Sequence, residues 1–435
     1  MNMRKHILLV GCFALVQTAL CWSASAADDD TSYAAITVNA LGVDLLARVA
    51  KPDENALISP YSIQSALAMT YAGAAGETKT EMAKVLHYPD DEAALHRSFA
   101  AFRRELEEIH ERTARQVTAS SEEAGPSEPV TLEIANRLYG QSGYAFRPTF
   151  LSTVKDKYSA PFQPVDFIHA SESVRGEING WVSERTHKRI NDLIPSGGAN
   201  EKTRLALVNA IYFKAAWAHE FRESATRSEP FFVNGTTPAN VRTMQREGRY
   251  GYLRGDGFQA ITIRYVGEEL ELLVLLPDEK DGLAALEAKL TPQLLAECAN
   301  PGPDDFILHL PKFKLVQQAI PLSSVLQSLG MKTAFDLPQG SADFDRMAPR
   351  KPDDYLYISE IFHKTFVDVN EEGTEAAAAT VVLFPFALGM VPQHKPTEVR
   401  VDHPFLFAIQ HRASGACLFL GRVVDPREIE SSDLK

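Results

Sequence analysis

Apolar residues recur at helical spacing through Ile36, Val38, Leu41, Val43, Leu45, Leu46 and Val49, which predicts a helix near the start of the chain. A second helix is expected after Ser59-Pro60, where Ile63, Ala66, Leu67, Met69 and Tyr71 mark one face, and a third over residues 77–86. Residues 112–129 are polar, rich in Ser, Glu and Pro and without apolar periodicity, so they read as a surface loop. From there the pattern turns to strands, over residues 130–139, 205–213, 261–265, 270–276 and 308–315. Asn234-Gly235 behind Phe231-Phe232-Val233 favours a tight hairpin turn, and residues 405–410 with 417–424 form a closing hairpin around Ser414-Gly415. Helices come first and strands dominate later, which defines an α+β class.

The chain has 435 residues, 45% of them hydrophobic and 23% charged, with no internal repeat and no long linker. One large domain with a sizeable core follows. The formal charge of −13 argues against a nucleic-acid partner. Residues 1–26 read as a signal peptide: Arg4 and Lys5 precede an apolar stretch, and Ala24-Ser25-Ala26 supplies small residues for cleavage. Export of a soluble 27–435 chain, extracellular or periplasmic, is the expectation. Leu9-Val10-Gly11-Cys12 offers the alternative of a lipoprotein anchored through Cys12. No other stretch is apolar enough to span a bilayer. Cys298 and Cys417 would remain after processing, too few for a disulfide framework, as two core thiols or one bridge.

A search for catalytic and cofactor motifs returns no nucleophile elbow, zinc-protease motif, phosphate loop, CxxC or dinucleotide fingerprint. Gly140-Gln141-Ser142-Gly143 resembles an elbow only superficially, and the histidines are scattered singly. No cofactor, metal site or catalytic residue is expected, and the chain does not read as an enzyme.

The abrupt change in composition lies near the C-terminus. Phe366-Val367-Asp368-Val369-Asn370-Glu371-Glu372-Gly373-Thr374-Glu375 runs into Ala376, Ala377, Ala378, Ala379, Thr380, Val381 and Val382, then into Leu383-Phe384-Pro385-Phe386-Ala387-Leu388-Gly389-Met390. The Ala run alone could begin a buried helix, but Pro385 and Gly389 would interrupt it. This segment resembles the proximal hinge of the inhibitory serpins. Further motifs agree in the same order: Asn55 with Ile58-Ser59-Pro60-Tyr61-Ser62-Ile63; Asn179-Gly180-Trp181-Val182 with Thr186 and Ile190; residues 207–217; Asp402-His403-Pro404-Phe405-Leu406-Phe407; and Phe419-Leu420-Gly421-Arg422-Val423.

The resemblance implies a serpin fold of three β-sheets and eight or nine helices. A reactive-centre loop within residues 371–396, exposed after Glu372, would be protease bait. Such a protein is a suicide substrate that traps a serine protease, with cysteine proteases a weaker possibility, as a covalent complex and as a monomer. The hinge would comprise Glu371, Glu372, Gly373, Thr374, Glu375, Ala376, Ala377, Ala378, Ala379 and Thr380. Inserted as a strand, Thr374, Ala376, Ala378, Thr380 and Val382 would face one side, Glu375, Ala377 and Ala379 the other. The resemblance maps a shutter onto Ser59, Ser62, Asn209 and His363, a breach onto Trp217 and a hinge ion pair onto Lys312 and Glu371. The family's spacing places the scissile bond between Ala387 and Leu388, with Phe386 and Met390 as alternatives. No Arg or Lys lies between Glu375 and Met390, so elastase-like or chymotrypsin-like pockets fit better than trypsin-like ones. The rival implication is a non-inhibitory serpin-fold binding or chaperone protein.

Overall fold

The computed structural model describes residues 31–120, 128–316, 319–375 and 397–427. Among them nine helices form: α1 (Ser32–Val49), α2 (Pro60–Tyr71), α3 (Gly76–Val85), α4 (Glu92–Ser120), α5 (Pro148–Tyr158), α6 (Phe167–Arg185), α7 (Leu283–Lys289), α8 (Pro292–Glu297) and α9 (Ser323–Leu329). The strands expected over 130–139 and 205–213 form as β2 (Thr131–Gln141) and β4 (Leu205–Ala216). The expected start of α2 is set by Ser59, whose hydroxyl caps the Ser62 N–H at 3.2 Å, and by Pro60 in the first turn.

Three sheets are present among the described residues. The largest runs β1 (Ala56–Ile58), β17 (Cys417–Val423), β16 (Phe405–His411), β8 (Leu270–Pro277), β7 (Phe258–Arg264), β6 (Thr237–Arg254), β9 (Pro303–Pro311) and β15 (Glu398–Arg400), with β5 (Arg227–Val233) also on β6. A second has the order β10 (Phe313–Val316), β13 (Phe366–Val369), β14 (Gly373–Thr374), β4 (Leu205–Ala216), β2 (Thr131–Gln141), β3 (Phe162–Val165), and a third pairs β11 (Ile320–Pro321) with β12 (Phe362–His363). Strand β8 is buried at every position, Glu271 included, and its otherwise apolar sequence suits a strand covered on both faces. The hairpin between β5 and β6 turns at Asn234 and Gly235, both with positive φ, 52° and 74°. A Cβ on Gly235 would sit 2.4 Å from the Lys280 carbonyl oxygen, so glycine is required there twice over.

One core cluster joins α1, α2 and α4 to the large sheet and to the inner face of β4, through Ile211, Phe213 and Ala215. A smaller cluster lies on the opposite face, where Val208 and Ala210 pack with Val174, Ile178 and Val182 of α6. Cys298 and Cys417 are buried free thiols, each pushed up to about 12 by burial.

Two expectations are corrected. Residues 112–120 continue α4 rather than opening a loop. The helix face Phe99, Phe102, Leu106, Ile109 ends on fully buried Thr113, whose hydroxyl donates to the Ile109 carbonyl at 2.8 Å and accepts from Val130 N–H at 3.1 Å. Arg112 binds Glu269 at 2.9 Å through Nε. A buried polar residue and a paired charge hold this turn, so an apolar count misses it. The strand expected over 308–315 is in fact two, β9 and β10, in different sheets. Pro311 has no N–H to continue the ladder, and Lys312 N–H turns to the Arg242 carbonyl at 2.8 Å.

Candidate functional site

The chain leaves β13 at Val369, turns through Asn370, Glu371 and Glu372, and returns as β14 between β13 and β4. The Asn370 side chain closes the turn by accepting from the Glu372 and Gly373 N–H groups at 3.0 and 3.3 Å. Gly373 pairs with Ala216 so closely that a Cβ on it would lie 2.0 Å from the Ala215 carbonyl oxygen. Only glycine fits this entry point. Thr374 is 1% exposed and shares a 2.6 Å hydrogen bond with the Tyr265 hydroxyl beneath the sheet. Glu375 faces the other way, bonds Arg189, and has φ 53°, which turns the chain out of the strand.

The expectation that the loop is exposed after Glu372 is therefore corrected for three residues: Gly373, Thr374 and Glu375 are buried. A glycine that clears the neighbouring backbone, a hydroxyl with a partner and a paired carboxylate make this short insertion favourable. The opposite facing of Thr374 and Glu375 agrees with the strand alternation expected from the sequence.

The residues assigned to the breach and the ion pair lie around this turn. Trp217 is buried, stacks on Tyr265 with ring centroids 4.6 Å apart, and donates from its indole to the Asn370 carbonyl at 2.9 Å. Its backbone N–H donates to the Glu372 carbonyl at 2.8 Å, and Phe221 N–H to that of Glu371 at 2.9 Å. Lys312 Nζ lies 2.6 Å from Glu371, which also accepts from the Thr226 hydroxyl at 2.7 Å. Burial pushes the Glu371 pKa upward, but these two donors outweigh it and hold it below the usual carboxylate range.

The first turn of α2 bridges the two sides of the sheet. Ser59 N–H donates to His363 Nε2 at 3.0 Å, and the Ser59 hydroxyl donates to the Leu418 carbonyl at 2.7 Å. Ser62 donates to the Asn209 side-chain oxygen on β4. Asn209 in turn donates to Asn136, and Asn136 to the Tyr158 carbonyl at 2.9 Å. Burial drives the His363 pKa down to about 3, consistent with a neutral ring whose Nε2 is an acceptor. All four residues assigned to the shutter meet here.

Between these two clusters the sheet is open among the described residues. Among the described residues, β4 pairs on this side only with β14, at Ala215 and Ala216. Below that point Leu205, Leu207 and Asn209 face Leu356, Ile358 and Phe362 across a cavity of about 220 Å³ floored by α2. Asn136 was recognisable as a polar residue at an inward position of a predicted strand. Tyr265, Thr226 and Arg189 had no local signal, because each is more than 100 residues from its hinge partner. Ala376, Ala377, Ala378, Ala379, Thr380, Phe386, Ala387, Leu388 and Met390 lie outside the described residues.

Comparison with known proteins identifies this arrangement. Residues 37–426 match the family described as Serpin (serine protease inhibitor). The chain is 39% identical to the human leukocyte elastase inhibitor, Homo sapiens, over 86% of this chain and 94% of that one. It is 38% identical to Serpin B10 of Otolemur garnettii over the same shares of each. Among solved structures it resembles a cleaved Serpin 42Da, with TM-score 0.74 and 30% identity over 92% of this chain and 100% of that one. It also resembles a loop-inserted, cleaved ovalbumin mutant, with TM-score 0.74 and 27% identity over 91% and 100%. The described fold and site define a protein of three sheets with a short strand, β14, seated between β13 and β4. The chain belongs to the serpin family, a family of protease inhibitors and not of enzymes.

Proposed function

We propose that the protein is a secreted suicide-substrate inhibitor of serine endopeptidases with elastase-like or chymotrypsin-like specificity. The observation that carries this is the seating of Gly373 and Thr374 at the top of an edge of β4 that is otherwise open among the described residues. The protease serine attacks the Ala387 carbonyl carbon, the bond to Leu388 breaks, and Leu388 leaves the acyl carbon with its new amino group, its segment still held in the large sheet by β15, β16 and β17. The hinge side stays esterified to the enzyme. Freed at one end, the hinge continues down β4 in the register already begun. Gly373 opposite Ala216 and Thr374 opposite Ala215 extend to Ala376 opposite Phe213, Ala378 opposite Ile211 and Thr380 opposite Asn209. The residues meeting the inner core are small or uncharged, so nothing obstructs insertion, and the ester is carried away from the loop's original position before water can reach it.

Specificity rests on the loop sequence and the relatives. The segment from Ala376 to Met390 has no cation for a trypsin-like pocket, and several relatives are leukocyte elastase inhibitors. Papain-like cysteine proteases are weaker candidate partners. Export rests on residues 1–26, and a lipid on Cys12 is the alternative fate of that leader. Among the described residues no helix is long and apolar enough to cross a membrane. The test is to mix the protein with elastase, chymotrypsin and trypsin, then separate the products on denaturing gels. A detergent-stable complex with the first two, releasing a peptide that begins at Leu388, is expected. Cleavage without a complex would instead make this a non-inhibitory serpin-fold protein.

A further inference from the structure

A second cavity, of about 240 Å³, lies beside the breach where β6, β7 and the chain after Trp217 meet. Its walls carry Arg246, Arg249, Arg264 and His219, and Glu268 is the only carboxylate among its lining residues. Arg264 spends its charge on Glu268 at 2.8 Å. Arg246 and Arg249 have no carboxylate partner among the described residues. Three guanidinium groups against one carboxylate is an unexpected concentration in a protein of formal charge −13.

Arg246 is the more telling of the two. Its guanidinium lies over the Tyr250 ring, 4.7 Å from the centroid, and 5.6 Å from that of Phe221. These contacts cover the faces of the cation and leave its in-plane N–H donors without a carboxylate. Its Nε is buried without a hydrogen-bond partner. Burial pushes the Arg246 pKa below its ordinary value, and the neighbouring Tyr250 offsets that only in part. A desolvated, unpaired guanidinium is unfavourable unless an anion completes it.

We infer that this cavity binds a small tetrahedral oxyanion, a phosphate or sulfate group, between Arg246 and Arg249. The planar fork of arginine matches two oxygens of such a group, and the cavity leaves room for an ester substituent beside Tyr250 and Pro303. The site adjoins the hinge. Ala218 N–H donates to the Arg264 carbonyl at 2.9 Å, and Phe221, under Arg246, holds the Glu371 carbonyl at 2.9 Å. Occupancy is therefore expected to alter the emission of Trp217, whose backbone adjoins the cavity wall.

Calorimetric titration of the full chain with inorganic phosphate, sulfate and glycerol 3-phosphate, at constant ionic strength, tests the site without any protease. Saturable binding is expected for wild type, and tighter binding of the glycerol ester than of inorganic phosphate would assign an ester ligand, equal binding the free anion. Arg249→Gln, an exposed change, should weaken it about tenfold through loss of one charge-assisted contact. Glu268→Gln removes the one opposing charge and should tighten it by about threefold. Arg246→Met should abolish it, and an unchanged melting temperature for Arg249→Gln keeps the result separable from misfolding. No saturable binding to the folded wild type, or equal affinity of wild type and Arg249→Gln, overturns the inference.

Discussion

His363 performs a task that its charged form cannot, because Nε2 accepts a hydrogen from the buried Ser59 N–H and a protonated ring has no acceptor left. An unfolded histidine titrates near ~6.5, whereas this one titrates at about 3 in the fold. The folded state thus binds the proton less readily than the unfolded state. Stability from this group is complete above ~6.5 and declines as the pH falls from there toward 3. Glu371 has the other kind of depressed pKa, a carboxylate held down by Lys312 and Thr226 against its burial, and its contribution is lost only at pH below the ordinary glutamate value of ~4.3. Thermal melts across pH are expected to show a first decline starting near ~6.5 and a further one below ~4.3. His363→Phe should lower stability by about 1–3 kcal/mol at neutral pH by orphaning the Ser59 N–H, and should erase the first decline. A first decline that survives this substitution would assign it to another group.

Strand β14 comprises two residues, and Glu375 after it has a positive φ. Burial raises the Glu375 pKa despite Arg189, so its charge is tolerated in place only because of that partner. Arg189→Met is expected to favour hinge departure at neutral pH, by on the order of 1 kcal/mol since Arg189 is half exposed. Acidification should reverse the effect by neutralising Glu375, and Trp217 emission reports both states. The register beyond Glu375 makes a sharper forecast. Ala378→Arg places a charge against Ile211 in the core and should convert the inhibitor to a substrate, while Ala377→Arg, opposite Tyr212 on the outer face, should retain most complex formation. Denaturing gels with elastase distinguish them, and equal loss in both variants would refute the register. Much at this scale was legible beforehand: the α2 cap, the β8 run and the Asn234-Gly235 hairpin are written in local pattern. The end of α4 was not, because Thr113 and Arg112 hold it through Val130 and Glu269. Nor was the short insertion of β14, because it depends on Tyr265 and Arg189, which no spacing rule brings to the hinge.

For the whole molecule, the edge of β4 beyond β14 is an unmet demand among the described residues. Between Leu205 and Lys214 that edge has no strand partner among the described residues, whereas the opposite edge pairs β2 throughout, Thr131 with Lys214 to Gly140 with Leu205. Filling it satisfies backbone groups on both flanking strands and buries apolar side chains in the cavity above α2. About ten new ladder hydrogen bonds at roughly 1 kcal/mol each amount to ~10 kcal/mol. In a domain of this size that corresponds to a rise in Tm of roughly 10–20 °C. Cleavage at the loop by a protease that escapes trapping should therefore yield a two-fragment protein that melts higher than the intact chain, although it has lost a covalent bond. Scanning calorimetry of the intact and nicked forms measures this directly. Thr374→Arg isolates the cause: its charge cannot occupy the buried site on Tyr265, so the variant should still be cut but show little or no rise. A full rise in the Thr374→Arg variant would mean that the gain comes from relaxation of the cut loop and not from a strand entering the sheet.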